Sequence, residues 1–163
     1  MRISSTIKGV ITAAVMIVLI YFIFNMGDKA DRRLQYLVYI TYALGILWAI
    51  MAHRASGNST GKFGDLFSQG FKCFIVVALA MAIFYGVFNY QHPEFAEEQA
   101  AAYKVQLLEH VKEKKMLATD VDPQVATYKK QYTLKLVSGA IFGYLIIGAG
   151  VSAVVSALLM RRN

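Results

Sequence analysis

Four long apolar runs set the pattern of this chain. Charge-free stretches occupy residues 9–27, 34–52, 73–91 and 136–160. A helix rises about 1.5 Å per residue, so about 20 apolar residues match the roughly 30 Å hydrocarbon core of a bilayer. We therefore predict an all-α integral membrane protein that forms a single membrane domain over residues 1–163. It has four transmembrane helices and, between the third and the fourth, an extramembrane helical segment over about residues 92–135.

The first apolar run has a second interpretation. Arg2 and Lys8 precede it, as basic residues precede the apolar core of a secretory signal. The residues at its end, YFIFNMGDK, are bulky where a signal peptidase requires small side chains. We therefore interpret the run as an uncleaved first span.

The stretch KFGDLFSQGF, residues 62–71, leads into the third span. Its aromatic residues recur at three- and four-residue spacing, which predicts a short amphipathic helix in the membrane interface. The expected interfacial residues are Phe63, Phe67 and Phe71. An ordinary helix start with aromatic residues at the bilayer surface would look nearly the same.

Small residues recur along the third and fourth spans. Lipid gives helices no hydrophobic reason to associate, so their contact depends on close approach at small side chains. The expected helix-packing residues are Ala78, Ala82, Gly86, Gly139, Gly143, Gly148 and Ser152. This pattern predicts a tight bundle with the third and fourth spans at its centre. A homodimer through Gly139 and Gly143 is a further hypothesis.

The segment between the third and fourth spans reads as two amphipathic helices. Pro93 and the pair Asp122-Pro123 are typical of helix starts. The apolar stripes offer a candidate partner surface made of Tyr103, Leu107, Val111, Tyr128 and Tyr132. The stripes have three uses open to them: packing on each other, lying on the bilayer, or binding a partner protein.

Composition and charge agree with a membrane location. The chain is 57% hydrophobic and 17% charged, which is too apolar for an ordinary soluble domain. The net charge of +7 is concentrated in the N-terminus, the second connection and the C-terminus, which four spans place on one side. Because Lys and Arg near span ends favour the cytoplasm, we expect both termini inside. The lysines of the third connection leave the reverse orientation open.

The basic charge therefore indicates topology and contact with anionic lipid, and we expect no nucleic-acid partner. The turn SGNSTGKF, residues 56–63, resembles the start of a phosphate-binding loop. However, three residues separate Gly57 from Gly61, one fewer than a Walker A loop requires, and Phe63 replaces the hydroxyl that would bind magnesium. We therefore expect no nucleotide.

Catalytic and metal-binding patterns are weak. The histidine–carboxylate neighbours, His92 with Glu94 and Glu109 with His110, lack the spacing that places two ligands on one helix face. The single cysteine, Cys73, allows no internal disulfide. The span interiors carry no Asp, Glu, Lys or Arg, the residues that usually mark ion pathways. We expect no catalytic residue, no metal site and no cofactor.

The order of these features resembles a known family. A basic N-terminus, two spans, a Gly-rich turn, FGDLFSQGFK, a third span, HPEF and a fourth span ending in arginines are similar to the Bacteroidetes membrane family catalogued as domain of unknown function 4199. The most specific positions are Gly61, Phe63, Gly64, Phe67, Phe71, Pro93 and Phe95. Residues 121–123, VDP, depart from the Ser-Glu-Glu helix start of relatives. The resemblance implies an inner-membrane protein of a Gram-negative bacterium and supplies no activity.

Two functions from different classes follow. The leading hypothesis is a non-enzymatic accessory or scaffolding subunit of a bacterial cell-envelope membrane complex, in contact with the lipid bilayer and with a membrane-protein partner or further copies of itself. The alternative is a small transporter or lipid-binding membrane protein, with its ligand between spans near Tyr39, Tyr42 and Asn89. An enzyme ranks third, because no nucleophile–base set is visible.

Overall fold

The computed structural model describes residues 3–26, 33–113 and 117–161. Within these ranges the chain is helical and contains no strand. Its helices are α1 (Ser5–Asn25), α2 (Leu34–Arg54), α3 (Phe63–Gln91), α4 (Glu94–Lys112) and α5 (Val121–Leu159), with a short 3-10 helix at Ala118–Asp120. The predicted end of the first span at Gly27 lies outside the described residues.

Four helical segments are long and apolar enough to cross a membrane. They are Ser5–Asn25, Leu34–Arg54, Phe63–Gln91 and Ala118–Leu159. These helices indicate a membrane protein. The predicted fold class, all-α with four membrane-spanning helices, is confirmed.

Two predicted boundaries fall inside continuous helices. Residues 62–71 were expected as a short amphipathic helix leading into the third span, or as an ordinary start of that span; α3 begins at Phe63 and continues to Gln91. A helix of 29 residues is about 44 Å long, which exceeds the roughly 30 Å hydrocarbon core of a bilayer. Likewise, α5 begins at Val121 and continues through residue 136, where the fourth apolar run starts. Asp122, expected at a helix start, lies in the first turn of α5.

The chain forms two compact units. The bundle unit comprises residues 1–81 and 140–163, and therefore contains α1, α2, the first part of α3 and the last part of α5. The hairpin unit comprises residues 82–139, which hold the end of α3, all of α4 and the first part of α5.

In the bundle unit, α1 contacts both α2 and α3 at glycines. A Cβ atom on Gly9 would lie 2.7 Å from the carbonyl oxygen of Cys73. A Cβ atom on Gly45 would overlap the side chain of Thr12, whose own Cβ would be 2.8 Å away. Because real side chains do not approach so closely, these glycines are what lets the helices touch.

The α5 helix enters the bundle unit in the same way. A Cβ atom on Gly70 would lie 2.8 Å from the Cβ of Ser152, and one on Gly148 would lie 2.7 Å from the Cβ of Phe74. Ser152 is fully buried. Helix contact at small residues is the packing mode expected in lipid, where side-chain hydrophobicity supplies no driving force.

In the hairpin unit, α4 packs along the first part of α5. The rings of Tyr103 and Tyr128 stack with their centroids 4.4 Å apart. Two ion pairs flank the rings: Lys104 Nζ lies 2.7 Å from Asp122 Oδ1, and Lys129 Nζ lies 2.8 Å from Glu97 Oε1. All four charged groups are well exposed, so these pairs add orientation more than stability.

Candidate functional site

An open pocket of about 730 Å³ lies at one end of the bundle unit, where α1 begins, α2 ends and α3 begins. This volume is in the range of small-molecule sites. We call it the basic pocket; its polar, basic and aromatic lining includes Ser5, Lys8, Trp48, His53, Gln69 and Lys72.

Lys8 is the most unusual residue of the basic pocket. Its side chain is buried, with 6% of the residue exposed, and its Nζ atom lies 5.6 Å from the centroid of the Trp48 ring. Within the part of the chain that the structure describes, Lys8 Nζ makes no hydrogen bond and no ion pair. Buried lysines are rare unless they are paired, so this ammonium group has bonding capacity to spare.

The first turn of α1 also borders the basic pocket, where Ser4, Ser5 and Thr6 line it. Ser4 caps the helix, its hydroxyl accepting a hydrogen bond from the backbone N–H of Ile7 at 3.2 Å. No acidic residue lies in the first turn of α1, so the positive end of the helix dipole has no local counter-charge. The Ser5 hydroxyl donates to Gln69 Oε1 at 2.8 Å and ties α1 to α3.

The turn between α2 and α3 is organised by one carboxylate. Asp65 Oδ2 accepts hydrogen bonds from the Ser59 hydroxyl at 2.9 Å and the Thr60 backbone N–H at 2.8 Å. Asp65 Oδ1 lies 2.9 Å from His53 Nε2 at the end of α2. Gly61 takes a φ of 69°, a conformation that favours glycine. Two residues of the stretch that resembles a phosphate-binding loop, Ser59 and Thr60, thus donate hydrogen bonds to the Asp65 carboxylate.

These hydrogen bonds also fix the ionisation of Asp65, which lies in the first turn of α3, ahead of the apolar run 73–91. Partial burial raises the pKa of the carboxyl group, but the hydrogen bonds from Ser59, Thr60 and His53 outweigh it and bring the pKa below its ordinary value. The carboxylate is therefore ionised at neutral pH, and its charge is directed into the turn.

The C-terminal end of α5 meets the same turn. The Arg161 backbone N–H donates to the Gly61 carbonyl oxygen at 2.9 Å. The structure thus brings together, at one end of the bundle unit, the basic segments that the sequence places on one side of the membrane. Arg2 and Arg162, which contribute to that prediction, lie outside the described residues.

A model of the family described as "Protein of unknown function (DUF4199)" matches residues 5–161. The chain belongs to this family. No curated protein and no solved structure matches the chain. The matched range of this DUF4199 protein takes in the basic pocket, apart from Ile3 and Ser4 at its edge, and both units.

The predicted helix-packing residues of the DUF4199 protein fall into two groups. Ala78, Gly148 and Ser152 lie in tight contacts of the bundle unit. In the hairpin unit Ala82 is buried, and a Cβ on Gly86 would be 3.8 Å from Val137. A Cβ atom on Gly139 or Gly143, in contrast, would meet nothing within 4 Å.

The predicted interfacial phenylalanines of the DUF4199 protein lie along the start of α3. Phe63 and Phe71 are 41% and 44% exposed. Phe67 is half-buried and stacks on Phe63, with 5.6 Å between ring centroids. Exposed aromatic rings at this position are what an interfacial helix start would present to lipid.

The candidate partner surface of the DUF4199 protein is turned inward. Leu107 is 5% exposed, Tyr103 stacks on Tyr128, and the ring centroids of Tyr128 and Tyr132 lie 6.3 Å apart. Val111 is half-buried. Of the three uses open to the stripes, the described residues show packing on each other.

The residues suggested for a ligand between spans make contacts of their own. The Tyr42 hydroxyl donates to the Tyr144 carbonyl oxygen at 2.7 Å, and Tyr42 is fully buried. The Tyr39 ring lies 6.3 Å from the Tyr144 ring and is 46% exposed. In the hairpin unit, Asn89 Nδ2 donates to the Tyr85 carbonyl oxygen at 2.9 Å.

The His92–Glu94 pair of the hairpin unit is more exposed to solvent than the His53–Asp65 pair. His92 Nδ1 lies 2.7 Å from Glu94 Oε1, with Glu94 mostly solvent-exposed. Hydrogen bonds from the backbone N–H of Glu94 and from His92 hold the pKa of the Glu94 carboxyl below its ordinary value. Among the described residues, no three His, Cys, Asp or Glu side chains cluster as metal ligands.

Sequence reasoning missed the basic pocket of the DUF4199 protein. It counted Lys8 only among the basic residues ahead of the first span and did not connect it with Trp48, although the structure places the two in contact. One signal was available: Lys8 opens an apolar helix without an acidic residue nearby, and the chain has one tryptophan, at the opposite end of the next span.

Proposed function

We propose that this protein is a non-enzymatic accessory or scaffolding subunit of a membrane complex in the bacterial cell envelope. The observation that carries the proposal is an open face on α5. A Cβ atom on Gly143 or on Gly150, two turns apart on that helix, would meet nothing within 4 Å. Near them on the helix, Phe142 and Ile146 are 66% and 72% exposed.

Glycine in a helix interior is destabilising by about 1 kcal/mol relative to alanine. At Gly148 that cost is offset by close contact with Phe74, but at Gly143 no neighbour within the described chain offsets it. Another transmembrane helix that packs on this face would do so, because small residues allow backbones to approach closely in lipid. The partner is a helix of another membrane protein or of a second copy of this chain.

We also propose the inner membrane of a Gram-negative bacterium of the Bacteroidetes as the location, with both termini in the cytoplasm. The support is the cluster of basic residues at one end of the bundle unit, which includes Arg54, Lys62, Lys72 and Arg161. Positive charge near span ends favours the cytoplasmic side.

The accessory role is tested by extracting the tagged protein from its native membrane into polymer nanodiscs and identifying what co-purifies by mass spectrometry. We expect a stoichiometric membrane protein, or a second copy of the chain. Gly143→Leu should abolish the association, because the larger side chain separates the helices. Gly64→Leu is the matched control, since Gly64 is also open but lies at the start of α3. A solitary wild-type protein, or equal association of both variants, would contradict the proposal.

The basic pocket favours a second candidate, a small transporter or lipid-binding membrane protein. The pocket has the volume of a ligand site and carries a buried lysine that makes no hydrogen bond or ion pair with the described residues. Transport is tested by ion and lipid flux in liposomes that contain the purified protein. Flux equal to that of protein-free liposomes would exclude the transporter hypothesis. The lipid-binding role is tested separately, by equilibrium binding of lipid to the purified protein.

A further inference from the structure

We propose that the basic pocket binds a phosphate-type oxyanion, the chemistry shared by the phosphate of a lipid headgroup and by free phosphate. The inference goes beyond the accessory role and rests on the second candidate function, whose ligand class it names. The accessory role depends on the open face of α5, so the two proposals fail independently.

The first argument is the state of Lys8. Lys8 lines the pocket with only 6% of the residue exposed, and its Nζ atom makes no hydrogen bond or ion pair within the described chain. The Trp48 ring, 5.6 Å from Nζ, stabilises the cation without using its N–H donors. An oxyanion in the pocket would accept those donors in charge-assisted hydrogen bonds.

The second argument is the helix end beside Lys8. Ser4, Ser5 and Thr6 line the pocket at the start of α1. The Ile7 N–H is bonded to the Ser4 hydroxyl, but the N–H groups ahead of it have no partner within the helix, and together with the helix dipole they attract anions. No acidic residue in the first turn of α1 competes for this position. Lys8 and the helix end therefore direct positive charge into the same space.

The third argument is the charge balance of the lining. The described residues that line the pocket include the cationic Lys8 and Lys72, as well as His53, and no carboxylate. Asp65 lies close in sequence, but its oxygens are occupied by His53, Ser59 and Thr60. The positive lining thus disfavours a bound cation, and none of the described lining residues is a carboxylate that would repel an anion or pair with the lysines in its place.

The position of the pocket explains why a phosphate group is the appropriate anion. Trp48, at 40% exposure, and Ile3, at 46% exposure, form apolar parts of a pocket that is otherwise polar. Tryptophan favours the headgroup level of a bilayer, where lipid phosphates lie. A volume of about 730 Å³ also exceeds the needs of a single small ion and accommodates an esterified phosphate.

The chain provides its own probe, because Trp48 is its one tryptophan and lies against Lys8. We would place the full chain in neutral phosphatidylcholine nanodiscs and titrate inorganic phosphate at constant ionic strength, with chloride as the balancing anion. In a second arm, phosphatidic acid would replace part of the phosphatidylcholine. We expect a saturable change in tryptophan fluorescence in at least one arm. A response to inorganic phosphate identifies a soluble ligand, and a response to phosphatidic acid alone identifies a lipid headgroup.

Variants assign the response to the pocket. Lys8→Gln should weaken binding at least about tenfold, as expected for loss of a hydrogen bond to a charged group. Lys8→Arg should retain binding, because it keeps the charge and the donors. Lys62→Gln is the matched control: it removes a charge at the same end of the protein but outside the pocket lining, and should leave the affinity unchanged.

If Lys8→Gln fails to fold, as judged by circular dichroism and gel filtration, Lys72→Gln replaces it, because Lys72 lines the pocket and is exposed. Lys72→Gln should weaken binding several-fold, whereas Lys62→Gln should leave the affinity unchanged. Equal affinities of the pocket variant and the Lys62→Gln control would overturn the proposal. So would the absence of a fluorescence response in both arms, in which case Lys8 only extends its charge toward the bilayer surface.

Discussion

Single residues decide how closely the helices of the bundle unit approach. A Cβ atom on Gly148 would overlap the hydroxyl of Tyr42 and lie 2.7 Å from Phe74, whereas one on Gly143 would meet open space. We expect Gly148→Ala to destabilise the protein by about 1–3 kcal/mol through overpacking. Gly143→Ala should be neutral or stabilising by up to about 1 kcal/mol through helix propensity. Thermal unfolding in detergent measures both, and equal shifts would contradict the packing.

A second residue-scale prediction concerns the buried Tyr42 hydroxyl. Tyr42→Phe removes its hydrogen bond to the Tyr144 carbonyl oxygen, which is 2.7 Å long. Hydrogen bonds between membrane helices contribute about 0.6 kcal/mol on average, with a maximum of about 1.7 kcal/mol, and we expect a loss in that range. Tyr39→Phe is the control, because the exposed Tyr39 contacts Tyr144 through its ring. A destabilisation by Tyr39→Phe that matched that of Tyr42→Phe would argue against the hydrogen bond.

At the scale of elements, Asp65 holds the turn between α2 and α3. Asp65→Ala removes the acceptor for Ser59, Thr60 and His53. We expect residues 55–62 to be cleaved faster in limited proteolysis, because the backbone of the turn loses its internal bonds. Lys62→Ala removes an exposed side chain from the same segment and should leave the cleavage rate unchanged when the protease is one that does not cleave at basic residues.

The same carboxylate gives this turn a pH dependence. The pKa of Asp65 is lower in the folded protein than its ordinary value, so its stabilisation is fully present above the ordinary pKa. The stabilisation is lost as the pH falls through the lowered value. Proteolysis by an acid-active protease should therefore accelerate on acidification in the wild type and depend less on pH in Asp65→Ala. An identical pH dependence in both proteins would contradict this assignment.

The hairpin unit provides a second test at the element scale. Leu107 is 5% exposed and its neighbour Leu108 is 43% exposed. Leu107→Ala should destabilise the hairpin unit by about 2–5 kcal/mol, as for other buried leucines, and Leu108→Ala should have a much smaller effect. Hydrogen exchange of the α4 backbone amides measures both. Comparable loss of protection in the two variants would show that α4 does not pack through Leu107.

At the scale of the whole molecule, the proposed orientation can be tested with single cysteines. Cys73 is buried and would be replaced by serine. In that background, Gln106→Cys, in the segment predicted to lie outside the membrane, should react with a membrane-impermeant maleimide added to intact spheroplasts. Asn58→Cys, in the turn between α2 and α3, should react only after permeabilisation. Both side chains are exposed, so access depends on the side of the membrane. The opposite pattern would reverse the orientation.

The positions that sequence analysis identified well are those whose behaviour is local. The apolar runs located the four membrane-spanning helices, because length and hydropathy belong to a segment irrespective of its neighbours. The stripe of Tyr103, Leu107 and Tyr128 was also visible as an apolar pattern. The sequence did not show what this stripe contacts, because the same apolar pattern suits packing between helices, lipid contact and partner binding equally well.

The sequence by itself therefore determined the fold class, the number of spans and the excess of positive charge at their ends. Only the tertiary structure decided that Lys8 meets Trp48, that His53 meets Asp65 across a turn, and that Gly148 is enclosed while Gly143 is open. The reason is physical. Periodicity shows which residues share a face of one helix, but the rotation and approach of neighbouring helices determine which faces meet, and these depend on all the close contacts at once.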